Sequence, residues 1–129
     1  LAQAALPALC SGAAAAERPV PPLIAHVPVA LHPDRAAVRA AARQRLGMYG
    51  RLPFYARMFA EAGYPTAADG TMPDALFDEL VVAGTPQQVA ARLAEIRAAG
   101  MDELLVHLVP VADEGAEEAA LFTALGNAR

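Results

Sequence analysis

Residues 84–110 read GTPQQVAARLAEIRAAGMDELLVHLVP. Thr85 is placed as an N-cap, Pro86 suits the first helical position, and Gln88 three residues on can reach back to complete a capping box. Val89, Leu93 and Ile96 then recur at i, i+4 and i+7 as one apolar stripe, while Arg92, Glu95 and Arg97 fall to the solvent side. Gly100 supplies the left-handed residue that ends such a helix. From Leu104 the run Leu-Leu-Val-His-Leu-Val is apolar without alternation, the pattern of a parallel strand covered on both faces. A capped helix delivered into a buried strand is half of an α/β unit, and the rest of the chain is read outward from it.

Upstream, residues 23–31 read as a second strand, again apolar on both faces. Pro28 within it has no N–H to donate, so it belongs at a bulge, near the strand end, or with its nitrogen turned to an unpaired side. Residues 1–16 read as a helix with Leu6 and Leu9 on one side, followed by the proline-stiffened connector ERPVPP. Asp34 is the expected N-cap of a helix over 35–49 with Val38, Ala42 and Leu46 buried. A helix over 53–62 is expected to turn Phe54, Met58 and Phe59 inward and stop at Gly63. A short helix from Pro73 with Leu76, Phe77 and Leu80 inward is read to Ala83, although Leu80-Val81-Val82 also suits a short strand. A last helix over 116–125 is anchored by Leu121, Phe122 and Leu125. The pattern contains no repeat and no internal boundary, so residues 1–129 read as one partial domain, helix-rich, with about two parallel strands.

The chain of 129 residues carries 10 basic and 14 acidic side chains, a formal charge of −4. Nucleic-acid binding needs clustered Lys and Arg, and the only concentration, Arg35 to Arg57, has the spacing of a solvated helix face. Cys10 is alone, which excludes an intrachain disulfide and fits a reducing, cytoplasmic setting. The segment around it, LPALCSG, lacks the basic flank and small residue of a lipoprotein signal, and no apolar run approaches the ~20 residues of a membrane span. Leu1 already sits inside a helix-like run without an initiator Met, so the N-terminal boundary reads as cut.

The chemistry is sparse. His32 and His107 stand at the carboxyl ends of the two strands and are the only side chains there able to exchange protons near neutral pH. They are the weak catalytic candidates; a hydrogen-bonded core role for His107 and a loop or cap role for His32 weigh more. His26, mid-strand, reads as packing. Three histidines without His-x-x-x-His or Cys partners give no metal spacing. Tyr49 and Tyr55 read as packing residues, and Asp74, Asp78 and Glu79 as a solvent-facing set on one short helix. No dinucleotide fingerprint, P-loop or nucleophile elbow occurs.

Gly84-Thr85-Pro86-Gln87-Gln88-Val89, then Arg92-Leu93, Ala98-Ala99-Gly100 and Asp102-Glu103-Leu104, resemble the C-terminal signature of the bacterial luciferase-like monooxygenases. Val27-Pro28-Val29-Ala30-Leu31, Leu52-Pro53-Phe54-Tyr55 and Gly63-Tyr64-Pro65 resemble the deazaflavin-dependent branch. The resemblance spans roughly residues 5–125 and implies the C-terminal portion of a (β/α)8 TIM-type barrel, a fold that takes about 250 residues when complete. It implies an oxidoreductase or monooxygenase acting with reduced flavin (FMN) or a deazaflavin coenzyme on a small organic substrate. In that family the cofactor is held largely by earlier strands and loops, so this segment alone is expected to be inactive and to bind no cofactor tightly, and no cofactor-binding residue carries over. The rival expectation is a non-catalytic oligomerisation or binding module. On either, two doubly apolar strands with open edges imply a homo-oligomer.

Overall fold

The structure, a computed structural model, describes residues 2–126. Helix α1 (Ala2–Ala15) accommodates Pro7 in its N-terminal half; its expected start at Leu1 lies outside the described residues. The proline connector leads into β1 (Ile24–Ala30). Asp34 caps α2 (Arg35–Leu46), accepting from the N–H of Ala36 at 2.8 Å, and Val38, Ala42 and Leu46 form the buried stripe. Helix α2 stops earlier than its periodicity suggests: residues Gly47–Arg51 tighten into a 3₁₀ turn. Gly50 faces the carbonyl of Gly70 so closely that any Cβ would overlap it, and Gly70 itself takes φ +83°. Glycine is required at both positions to bring these loops together.

Helix α3 (Pro53–Glu61) follows and ends at Gly63, φ 92°. Only Phe59 of the three expected anchors is buried. Phe54 is 73% exposed, stacked edge-on against Tyr55, and Met58 lies at the rim. A nine-residue helix presents a narrow stripe, and Tyr55 with Phe59 fills it. Helix α4 (Asp74–Leu80) buries Leu76 and Phe77, with Leu80 half-buried. It does not run to Ala83: Val81 turns extended and β2 (Val82–Ala83) pairs in parallel with Val29 and Ala30 of β1. Neighbouring backbone, not local propensity, made the choice at this β-branched run.

Helix α5 (Pro86–Ala98) carries the complete Thr85/Gln88 capping box, buries Val89 and Leu93, and hands over through Gly100 (φ 109°) to β3 (Glu103–Leu108). Helix α6 (Glu114–Gly126) closes the chain on Leu121, while Phe122 points outward, 67% exposed. The sheet is open and parallel in the order β2-β1-β3. The chain thus has three parallel strands where two were legible. Pro28 sits mid-strand without cost: the carbonyls of Leu23 and Val29 accept from the β3 side, so Pro28 turns its nitrogen to the other edge, ahead of the point where β2 begins to pair.

Two cores flank this sheet. Val27 and Val29 face Val89, Leu93 and Leu121 of α5 and α6. On the opposite face Ala30 and Val109, at the carboxyl ends, are covered by Val38, Leu46, Phe59, Leu76 and Phe77. Each fully buried Val or Leu contributes about 1.5–3 kcal/mol. The helices cover only the upper half of that second face. Lower down, Ile24 is 53% and Leu105 61% exposed, so the expected two-sided covering of β3 holds on one side only. Among the described residues no helix is long and apolar enough to cross a membrane.

Candidate functional site

In parallel sheets chemistry gathers at the carboxyl ends of the strands, and here three loops meet that edge. Each loop begins a helix, and the first N–H groups of a helix are the natural donors for an anionic ligand. In the β1–α2 loop Asp34 takes the Ala36 N–H, and the Asp34 N–H donates to Nδ1 of His32 at 3.1 Å. After β2, Thr85 Oγ1 accepts from Gln88 N–H at 3.3 Å and Gln88 Oε1 accepts from Thr85 N–H at 2.9 Å. After β3, the largely buried Glu117 accepts from the N–H groups of Val111 (3.0 Å) and Ala112 (2.8 Å), while Asp113 accepts from Ala116 N–H at 2.9 Å. Side-chain oxygens of the chain itself, most of them carboxylates, therefore occupy one or more of the donors in each of the three loops. The role of Glu117 escaped the sequence reading; a Glu four residues after Asp113 at a helix start was the available signal.

His32 has the loop role: its ring nitrogen receives the backbone of Asp34. His107 is half-buried on β3 and faces the partly open side of the sheet. Its neighbour there is His26, an exposed residue rather than a packed one, with ring centroids 5.6 Å apart and an interplanar angle of 69°. The register explains this. Pro28 lies opposite His107 and Leu105 opposite His26, so the two imidazoles are diagonal neighbours on one face. The structure thus brings His107 to His26 and leaves His32 engaged in its own loop.

Tyr49 and Tyr55 stack at 4.7 Å beside Phe59, as packing residues. Of the acidic set on α4, Asp74 and Glu79 are exposed as their spacing implied, while Asp78 is half-buried in an ion pair. Asp78 receives Arg39 through Nε (2.9 Å) and Nη2 (2.5 Å) with Arg35 nearby, and Asp74 pairs with Arg43. The Arg39 guanidinium holds the Asp78 carboxyl below the ordinary carboxylate range against the opposing effect of partial burial. Arg35, Arg39 and Arg43 of the basic concentration are the other half of this ladder, while Arg45 pairs with Glu114 and Arg57 with Glu61. A groove of about 500 Å³ lies elsewhere, between α5 and α6 on the far face, lined by Leu93, Arg97, Asp102, Glu103 and Leu125.

Parallel strands joined through helices, with their loops collected at one edge, define an α/β protein whose open sheet is consistent with part of a parallel barrel. The sequence profile described as luciferase-like monooxygenase matches residues 1–103 of the 129, and the chain belongs to that family. The matched region takes in β1, the helices above it, β2 and α5, and ends at the first residue of β3. Neither the curated proteins nor the solved structures contain a match.

Proposed function

We propose that the chain is the C-terminal segment of an oxidoreductase that uses reduced flavin or a deazaflavin coenzyme on a small organic substrate, in a cytoplasmic setting. The family match over residues 1–103 carries this reading. Such a coenzyme, when bound, supplies hydride or activates oxygen, and the protein's share is to bind, orient and exclude water. The described residues do not fit its phosphate. In each loop at the carboxyl edge some of the first N–H groups are already taken by side-chain oxygens, and Asp34, Asp113 and Glu117 gather negative charge at that edge, unfavourable to a phosphate. The segment's contribution is then scaffolding: α5 and α6 support one face of the sheet and the α2–α4 layer caps the other, while cofactor contacts come from residues outside it.

The test starts from the gene. A reading frame continuous with Leu1 and extending about 150–200 residues upstream, the shortfall from a full barrel, is expected. The protein it encodes should bind reduced FMN or reduced deazaflavin saturably in anaerobic titration, whereas residues 1–129 alone should bind neither. Failure of the longer protein to bind either coenzyme overturns the reading. A second reading, a non-catalytic oligomerisation or binding module, is favoured by Ile24 and Leu105, large apolar side chains exposed on the partly open face of the sheet. A start codon beside Leu1 would support it.

A further inference from the structure

We propose that His26 and His107 form a two-imidazole site for a borderline divalent cation of the Zn²⁺ or Ni²⁺ class. The reading is independent of the coenzyme. Two imidazoles chelate one ion when their nitrogens converge on it, and metal–nitrogen bonds of about 2.1 Å put the two ring centres about 5 Å apart at a tetrahedral angle. The observed separation is 5.6 Å, with the rings at 69° to one another, and the side-chain torsions of both histidines are the degrees of freedom that would turn their nitrogens onto one ion. The rings stand on adjacent hydrogen-bonded strands whose register is fixed over six residue pairs, so the spacing belongs to the sheet rather than to a loop.

Both rings have free nitrogens. Neither makes a protein hydrogen bond among the described residues, and no buried side-chain nitrogen or oxygen there lacks a partner, so these nitrogens open to solvent. No Lys or Arg stands beside the two rings on this face, whose neighbouring members are Ile24, Pro28 and Leu105. No group of three or more His, Cys, Asp or Glu that could hold a metal exists among the described residues. The ion therefore takes two protein ligands and completes its shell with water. Imidazole suits zinc, nickel and copper over the hard cations, so Mg²⁺ and Ca²⁺ are excluded. The sequence conceals this site because its ligands lie on different strands and meet only through register.

Titration of the chelator-stripped chain with NiCl2 and with ZnCl2 by calorimetry tests the site. One ion per chain is expected in the micromolar range, with no heat from MgCl2. His26→Ala, at an exposed position, and His107→Gln should each weaken binding about tenfold or more, since each removes one of two ligands. His32→Ala should leave it unchanged. Circular dichroism keeps a misfolded His107→Gln from being read as a lost ligand, and His26→Ala stands on its own. Undiminished affinity in His26→Ala, equal loss in His32→Ala, or half an ion per chain overturns the proposal.

Discussion

Thr85 and Glu117 do the same work by different means. Each offers oxygen to N–H groups that a helix start or a tight loop leaves free, and each fixes one loop at the carboxyl edge of the sheet. Thr85→Ala should cost about 1 kcal/mol, read as a lowered urea midpoint with an unchanged slope, because Gln88 N–H then turns to water. Glu117→Ala should cost more, about 1–3 kcal/mol, since the N–H groups of Val111 and Ala112 lose their acceptor at a site only 8% exposed. Glu117→Gln, which keeps one acceptor oxygen, should fall between. A Glu117→Ala midpoint equal to that of the parent would show that the loop satisfies itself otherwise. The Thr85 cap was legible from sequence because Thr, Pro and Gln fall within one turn. The Glu117 clasp was not, because its target is loop backbone whose path the sequence leaves open. His26 was misread for a related reason: apolar neighbours along the strand say nothing about which half of a face the helices cover.

Elements pair here through charge as well as packing. Helix α2 presents Arg35, Arg39 and Arg43 at one-turn intervals to Asp74 and Asp78 of α4, and Arg43 also lies over the Phe77 ring at 5.5 Å. The folded pKa of Asp78 lies below its unfolded value of about 3.9, so its ionised form contributes stability above about pH 4 that is lost as pH falls through the lowered folded value. Asp69, held down by the Thr71 hydroxyl and N–H, acts in the same direction. Denaturation midpoints measured from about pH 6 down to pH 2 should therefore fall on the acid side, and Asp78→Asn should flatten that limb while lowering the plateau. An acid limb of full size in Asp78→Asn would remove the ladder as its cause. The individual helices were legible because 3.6-residue periodicity and caps are local signals. Their pairing was not: the arginines and the aspartates each read as a solvated face until the fold set them opposite one another. Strand β2 failed for the same reason, being two residues long and specified by Val29 and Ala30 rather than by itself.

At the scale of the molecule the sheet ends abruptly at β3, which pairs with β1 on one side and with nothing on the other among the described residues. Edge strands of this kind recruit further strands unless charge, proline or a covering helix blocks them, and the outward chain Leu105-Val106-His107-Leu108 holds no Lys, Arg or Pro. We propose that two copies of residues 1–129 join edge to edge through β3, by an isologous contact that closes on itself. A two-fold edge pairing sets the Leu105 side chains of the copies near one another on the partly open face and leaves His26, one strand further in, uncovered. Val106 is the wrong place to test this: it packs against α5 and α6, so a charge there attacks the fold itself. Leu105, 61% exposed, is the right one. Leu105→Lys should return a dimer to a monomer of unchanged circular dichroism by light scattering at micromolar concentration, because like charges meet across the new pairing and edge lysine resists addition. Replacing exposed Arg97 by Glu should leave the dimer intact. A parent chain that is already monomeric in that measurement would show that the β3 edge is silent, and the exposed Ile24 and Leu105 would then await a partner other than a second copy.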